Sequence, residues 1–294
     1  VKAPWFDYFV PESLSEALAM ARDADLDGRI LAGGQSLMPM LNMRIVDIGA
    51  LIDINRIPDL DYIKEDGDVL EIGGLVRHAD LLRSDAIRLR WPLLHEATTY
   101  IAHPAIRNRG TVAGSVSHND PAAEHPGVLA TLDGTVVIAS VDGRREISAD
   151  QFSEGMLSTA LEPGEMVVAL RYKRPPEGTG AAFTEFARRL GDFAIAGAAA
   201  LLTMRNGQCE RARLTIIGLG DGPVRAHAVE QLLTGRTLDN GNATSTFEAA
   251  AEEIRVSFEA AEDVHASSGY RSHLAGVMAK RALAAAFARA QGNA

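Results

Sequence analysis

Cysteine is almost missing. Cys209 stands alone among 294 residues, so no internal disulfide can form. The chain cannot hold an iron–sulfur cluster either, since such a cluster takes about four thiolates. Doing without disulfides fits a reducing compartment. Long apolar runs are missing too. The longest, residues 194–202, falls far short of the roughly 20 residues of a membrane helix. The stretch "VKAPWFDYFVPESLSEAL" lacks the charged-then-apolar plan of a secretory signal. Positive charge is in deficit, with 29 basic against 39 acidic side chains and a net charge of −10. That balance leaves no basic footprint for nucleic acid and no polybasic face for anionic lipid. Together these absences set the expectation of a soluble cytoplasmic protein with no nucleic-acid partner and no membrane span.

What is present is core-forming material. Hydrophobic residues make up 47% of the chain, and the length suits roughly two domains of about 100–200 residues each. No period of 20–50 residues repeats, which argues against a solenoid. Ser13 to Ala21 reads as a helix, with Ser13 and Glu16 at the capping-box spacing. "RILAGG", "ALIDIN" and "VLEIGGLV" read as strands. Leu75 to Ala86 and Pro92 to Tyr100 read as helices. "GTVVIAS" and "REIS" flank Asp142-Gly143 as a hairpin, and "EMVVALRYK" is a further strand. Pro175-Pro176 and Gly178-Thr179-Gly180 then break the pattern and mark a domain boundary. Beyond it, "AAFTEFARR", "AIAGAAALLTMR" and "ERARLTIIGLG" read as strands. Helical patterns follow over Thr246 to Val264 and Tyr270 to Ala290. Strands first and helices later make the last third α+β.

Two glycine-bearing segments stand out. "ILAGGQSLMPML" sets Gly33 and Gly34 between apolar residues and follows them with Gln35 and Ser36. A plain turn would use such glycines, and so would a bound phosphate, because glycine lets a backbone approach a ligand. The segment is neither a GxGxxG fingerprint nor a P-loop, since no lysine follows. The second, "HPAIRNRGTVAGSVSHNDPAAEHP" (residues 103–126), is dense in small and hydroxyl side chains and reads as a long binding loop. His118, Asp120, Glu124 and His125 are metal ligands by type, but Asp120-Pro121 reads as a turn start and the spacing fits no HExxH pattern. Ser36 and Ser117 lack the GxSxG elbow of a serine nucleophile.

Read together, "LAGGQSLMPML" and "IRNRGTVAGSVSHNDPAAEHP" resemble the FAD-binding medium subunit of the molybdenum hydroxylases, the family of aerobic carbon monoxide dehydrogenase, to which the FAD domain of xanthine dehydrogenase is related. The likeness continues through "FDYFVPESLSEAL", "LIDINRIPDL", "LEPGEMVVAL", "ARRLGDFAIAGAAA", "GPVRAHAVEQLLTG" and "YRSHLAGVMAKRAL". The fold this implies is α+β. Two small amino-terminal α/β subdomains, about 1–57 and 58–174, would form an FAD-binding domain over 1–174. A carboxy-terminal domain over 180–294 would carry a three-stranded antiparallel sheet with helices.

Residue by residue, the resemblance implies an FAD site. Ile30, Leu31, Ala32, Gly33, Gly34, Gln35, Ser36 and Leu37 would wrap the pyrophosphate with backbone N–H groups. Thr111, Val112, Ala113, Gly114 and Ser115 would form a second phosphate and ribityl loop. Ile101 would lie by the isoalloxazine ring, Asp120 and Glu124 would make polar contacts to the flavin nucleotide, Leu161 an apolar one, and Phe193 would cover the reactive face. There are departures. Ala113 stands where glycine is common, Ser115 where asparagine is common, Glu124 is longer than the usual aspartate, and Thr184-Glu185 replaces a frequent lysine. The implied function is a flavoprotein oxidoreductase subunit. It would pass electrons from [2Fe–2S] clusters on a small subunit to an external acceptor, while substrate is oxidised at a molybdenum cofactor on a large subunit. The assembly implied is a dimer of heterotrimers. No catalytic side chain and no metal are expected in this chain. A self-contained flavin oxidoreductase and a non-catalytic scaffold subunit remain open as alternatives.

Overall fold

The computed structural model describes residues 2–292. Strand β1 (Asp7–Phe9) leads into helix α1 (Leu14–Arg22). Ser13 Oγ accepts from the Glu16 N–H at 3.2 Å, and the Glu16 carboxylate accepts in return from the Glu12 N–H at 2.9 Å. Then come β2 (Gly28–Leu31), α2 (Leu37–Asn42) and β3 (Ala50–Asp53). The three strands form a parallel sheet in the order β1-β3-β2. Successive residues of the central strand point to opposite faces. Leu51 packs with Leu41 and Ile48, while Ile52 packs with Ala17 and Leu18 of α1.

The second unit opens with β4 (Ile63–Asp66) and β5 (Val69–Gly73). Six short helices follow: α3 (His78–Arg83), α4 (Asp85–Arg90), α5 (Pro92–Tyr100), α6 (Pro104–Arg107), α7 (Val112–His118) and α8 (Glu124–Thr131). The chain then returns through β6 (Thr135–Ser140), β7 (Gly143–Ser148), α9 (Ala149–Phe152), β8 (Ser153–Gly155), β9 (Ser158–Thr159) and β10 (Met166–Lys173). Five of these strands make an antiparallel sheet, β4-β5-β10-β6-β7. One of its faces, with Val137, Ala139 and Val168, buries Ile52 and Ile54 of the first unit. The other, with Ile72, Ile138 and Leu170, packs on Trp91, Leu94 and Val128 of the helices.

The third unit contains β11 (Thr179–Phe186), β12 (Ala196–Arg205), β13 (Gln208–Ile217), a two-residue β14 (Val224–Arg225), then α10 (His227–Leu233), α11 (Ala243–Ser257) and α12 (Ser268–Ala290). The strands pair antiparallel in chain order, so the expected three long strands are present with a short fourth at the edge. The central strand is buried on both faces. Ala199 and Leu201 join the helices of the second unit, and Ala198, Ala200 and Leu202 join α11 and α12. Arg271 on α12 donates to the carbonyls of Ile195 at 2.8 Å and Gly218 at 2.9 Å, tying down the ends of β12 and β13.

Several boundaries differ from the sequence reading. The helix expected over Leu75 to Ala86 starts only at His78 and breaks at Ser84, whose hydroxyl accepts from the Ile87 N–H at 3.3 Å and starts α4 afresh. The segment 103–126 is not one long loop but α6, α7 and the opening of α8, pieces too short to show helical periodicity. "ALIDIN" ends as a strand at Asp53, and "AAFTEFARR" ends at Phe186. The helix expected over Thr246 to Val264 stops at Ser257; farther on, the Ala261 N–H donates to the Leu219 carbonyl at 2.7 Å instead of continuing a helix. Among the described residues no helix is long and apolar enough to cross a membrane.

Candidate functional site

The two glycine segments meet. Gly33 leaves β2 and lies directly on the backbone of Arg109 and Gly110, where a Cβ on Gly33 would stand 2.7 Å from the Gly110 Cα. Gly34 takes a left-handed conformation at φ 72°, which turns the chain into α2. The opposite segment is aligned by the run that precedes α3. The His78 N–H donates to the Gly110 carbonyl at 3.1 Å, and the Val112 N–H to the Val76 carbonyl at 3.0 Å. Thr111 caps α7, its hydroxyl accepting from the Gly114 N–H at 3.0 Å.

Between these segments runs a cleft of about 1120 Å³. Pockets for drug-sized ligands are usually about 300–1,000 Å³, so this one suits a larger molecule. It places together residues 30–37, Ile101, Thr111, Ala113, Gly114, Ser115, Asp120, Glu124, Leu161 and Phe193. Val112 is the exception among the site residues expected from the sequence. It is fully buried in the core of the second unit, away from the cleft, and its N–H is already bonded.

The lining is rich in free backbone donors. Among the described residues, the N–H groups of Gly33, Gly34, Gln35, Ser36 and Leu37 have no partner on the chain, nor do those of Thr111 and Ala113. Successive unpaired N–H groups beside a left-handed glycine form a concavity suited to an anion. The side chains there add donors without charge, since Ser36 and Ser115 carry hydroxyls. Gln35 turns inward, its amide donating to the Gly33 carbonyl at 3.0 Å. A pyrophosphate fits this lining on the chemistry of its donors.

Acidic and apolar groups line the rest of the cleft. Asp120 Oδ1 accepts from the Ala122 N–H at 2.9 Å, the turn expected at Asp120-Pro121. Glu124 opens α8 and is only 9% exposed. Burial, and after it the neighbouring Glu185, pushes Glu124 up to about 8; burial pushes Glu185 up to about 7. Ile101 is buried and Leu161 half-buried against the core. Phe193 sits on the β11–β12 connection at the cleft and is 70% exposed.

Three supporting residues, Asn55, Arg77 and His78, carried no motif in the sequence, and a fourth, His125, stood out only as a metal ligand by type. Asn55 and Arg77 tie the segments together from behind. Asn55 Nδ2 donates to the Ala32 carbonyl at 2.8 Å, Arg77 donates to Asn55 Oδ1 at 2.5 Å, and the same guanidinium donates to the Arg109 carbonyl at 2.6 Å. His78 lines the cleft and stacks on His125, with ring centroids 5.0 Å apart and planes 18° apart. Burial, followed by the charges of Arg107 and Arg77, holds His78 down to about 4. Burial and His78 also hold His125 well below the ordinary histidine range. Nothing in the spacing of "LVRHAD" or "AAEHP" signals that these rings meet across 47 positions.

The family model for the FAD binding domain in molybdopterin dehydrogenase matches residues 4–172, and that for the CO dehydrogenase flavoprotein C-terminal domain matches residues 181–286. The 6-hydroxypseudooxynicotine dehydrogenase complex subunit alpha of Paenarthrobacter nicotinovorans is 41% identical over 99% of this chain and 97% of its own. The carbon monoxide dehydrogenase medium chain of Hydrogenophaga pseudoflava is 36% identical over 97% of this chain and 98% of its own. A chain of the solved carbon monoxide dehydrogenase from H. pseudoflava, in the form lacking the Mo-pyranopterin moiety, superposes with a TM-score of 0.94 at 37% identity. It covers 98% of this chain and 99% of the other.

Proposed function

The chain belongs to the FAD-binding medium subunits of the molybdenum hydroxylases, and from that premise we propose that it is the electron-transferring flavoprotein of a three-component complex. Its relatives are named as subunits or medium chains of dehydrogenases, which supports a partnership with a large molybdenum-binding chain and a small iron–sulfur chain. On this reading substrate oxidation would belong to the large partner, the small one would supply electrons from its [2Fe–2S] clusters, and FAD held by this chain would supply their exit to an external acceptor. The full assembly is a dimer of such trimers.

One observation carries the reading: the unpaired N–H groups of Gly33–Leu37, Thr111 and Ala113, all on residues lining one cleft. Bound FAD supplies one- and two-electron redox chemistry. The chain's own work is to hold and orient it. The free donors meet phosphate oxygens, Ile101 and Leu161 keep water from one stretch of the cleft, and Phe193 is placed to cover its open side. Asp120 and Glu124 offer polar contacts. Within the cleft the site assignment is residues 30–37, Ile101, Thr111, Ala113–Ser115, Asp120, Glu124, Leu161 and Phe193.

Purification of the chain tests this directly. It is expected to retain about one FAD, seen as flavin absorbance, and to turn over no small substrate alone. Co-expression with a large molybdenum-binding and a small cysteine-rich chain is expected to yield a stable complex with activity. A colourless chain that takes up no FAD would leave only a scaffold role, and turnover by the isolated chain would establish a self-contained oxidoreductase instead.

A further inference from the structure

The buried His78–His125 pair has an asymmetry that the function so far leaves unused. Nδ1 of His78 and Nε2 of His125 lie 3.0 Å apart, so one proton joins the two rings. The remaining nitrogens differ. His125 Nδ1 is sealed inside the protein without a partner. His78 Nε2 also has no partner among the described residues, but it is not sealed; the residue lines the cleft and this edge of the ring lies against Gly110.

Two proton arrangements are available to a pair of neutral rings. If His78 donates to His125, then His125 Nδ1 carries a hydrogen with nowhere to go. If His125 donates to His78, then His125 Nδ1 is a bare acceptor and His78 Nε2 carries a hydrogen that faces the cleft. Orphaned buried N–H groups are rarer and costlier than under-satisfied acceptors. The second arrangement is therefore selected. It presents a neutral donor beside Gly110, where the two glycine segments touch.

We propose that His78 is a binding residue of the FAD cleft, donating from Nε2 to an oxygen of the bound dinucleotide. His125 is its positioning residue, fixing the tautomer that makes Nε2 the donor. The inference rests on the chain's being an FAD-binding subunit. His78 is the first residue of α3, and its own N–H on the Gly110 carbonyl fixes its backbone beside the glycine segment, while the contact of its Nδ1 with His125 Nε2 orients the ring. A neutral donor suits the site: it binds phosphate, ribityl or ring oxygens without adding a charge beside Arg77 and Arg107.

FAD dissociation constants, read from flavin fluorescence on the full chain, test both roles. His78→Phe is expected to weaken FAD binding roughly three- to tenfold, the worth of one neutral hydrogen bond. His78→Gln, which keeps a neutral donor, is expected to stay within about threefold of the natural chain. His125→Leu is expected to weaken binding and His125→Gln, which can still donate to His78, to restore it. Nitrogen-15 NMR of histidine-labelled chain is expected to show His78 protonated at Nε2, with that resonance shifting when FAD is added and drifting towards the other tautomer in His125→Leu. Unchanged affinity in His78→Phe, or an Nδ1-protonated His78, overturns the proposal. Should the natural chain bind no FAD at all, it is the proposed FAD-binding function that fails, and the same titration shows that first.

Discussion

Gly33 rests on Gly110 so closely that a single added carbon would stand 2.7 Å from the Gly110 Cα, and closer still to the Arg109 carbonyl oxygen. The two halves of the cleft are thus in backbone contact, and the glycine is needed as much for that contact as for access by a ligand. Gly33→Ala, and more so Gly33→Val, is expected to push the segments apart and abolish FAD retention. Circular dichroism should still report a folded chain, because the collision is confined to the connection after β2. Normal flavin content in Gly33→Val would refute the assignment of residues 30–37.

The bridge from Ala32 through Asn55 and Arg77 to Arg109 makes a second prediction. Arg77→Met and Asn55→Leu each remove hydrogen bonds without touching the cleft, and each is expected to raise the FAD dissociation constant about three- to tenfold. Asn55→Asp keeps an acceptor for Arg77 but loses the donor to Ala32. If the bridge acts as a whole, Asn55→Asp is weakened like Asn55→Leu; if Asn55 serves only Arg77, it binds FAD normally.

Stability should depend on pH in two opposed ways. His78 is held down to about 4 against about 6.5 when unfolded. Between those values the unfolded chain binds more protons, so stability is lost as pH falls through that window, by about 3 kcal/mol in total. Glu124 is pushed up to about 8, so the folded chain is the one holding the extra proton, and stability is lost as pH rises from the usual carboxylate range towards 8. Below about 6.5 the two trends oppose each other, so thermal unfolding of the cofactor-free chain across pH 4–9 is expected to show the loss above that value directly, and the loss on the acid side once Glu124 is replaced. Glu124→Gln should flatten the decline between neutral pH and 8; an unchanged slope there would show that Glu124 ionises freely.

Phe193→Ala should leave unfolding within about 0.5 kcal/mol of the natural chain, as exposed positions usually do, since Phe193 is 70% exposed. Flavin fluorescence and the rate of flavin re-oxidation are expected to change. If neither moves, Phe193 does not cover the ring.

Gly180 offers a prediction independent of any cofactor. A Cβ there would collide with the backbone of α12 at Ala286 and Ala290. Gly180→Ala is expected to destabilise the chain by about 1–3 kcal/mol, the usual cost of overpacking. Chemical denaturation measures it, and an unchanged midpoint would mean that α12 yields freely.

Much of this was legible in the sequence, and the parts that were not share a cause. The strands and long helices show because apolar residues recur with a fixed period: β12 and α12 lie within a few residues of their expected limits. The short helices α3, α4, α6 and α7 were obscured because four to seven residues are too few for a period, and capping by Ser84 or Thr111 carries what periodicity cannot. Residues 30–37 and 111–115 were visible as motifs, although Val112 turned out to serve the core. Asn55, Arg77 and His78 were invisible because their partners are remote in the chain, and His125 was visible only as a metal ligand by type, with no sign of its pairing with His78. Only folding brings Ala32, Asn55, Arg77 and Arg109 into line, and no local pattern announces it.

The doubly buried strand β12 has a mechanical consequence. Pro175 and Pro176 mark a change in sequence pattern, yet the hydrophobic core does not stop there. Phe183, Ala199, Leu201 and Ile217 from beyond the prolines share one cluster with Trp91, Leu94, Val128 and Tyr172 from before them. Cutting the chain at the prolines would strip apolar surface on both fragments at once. The two sides of the prolines are therefore expected to melt together, since the single strand β12 gives one face to each core.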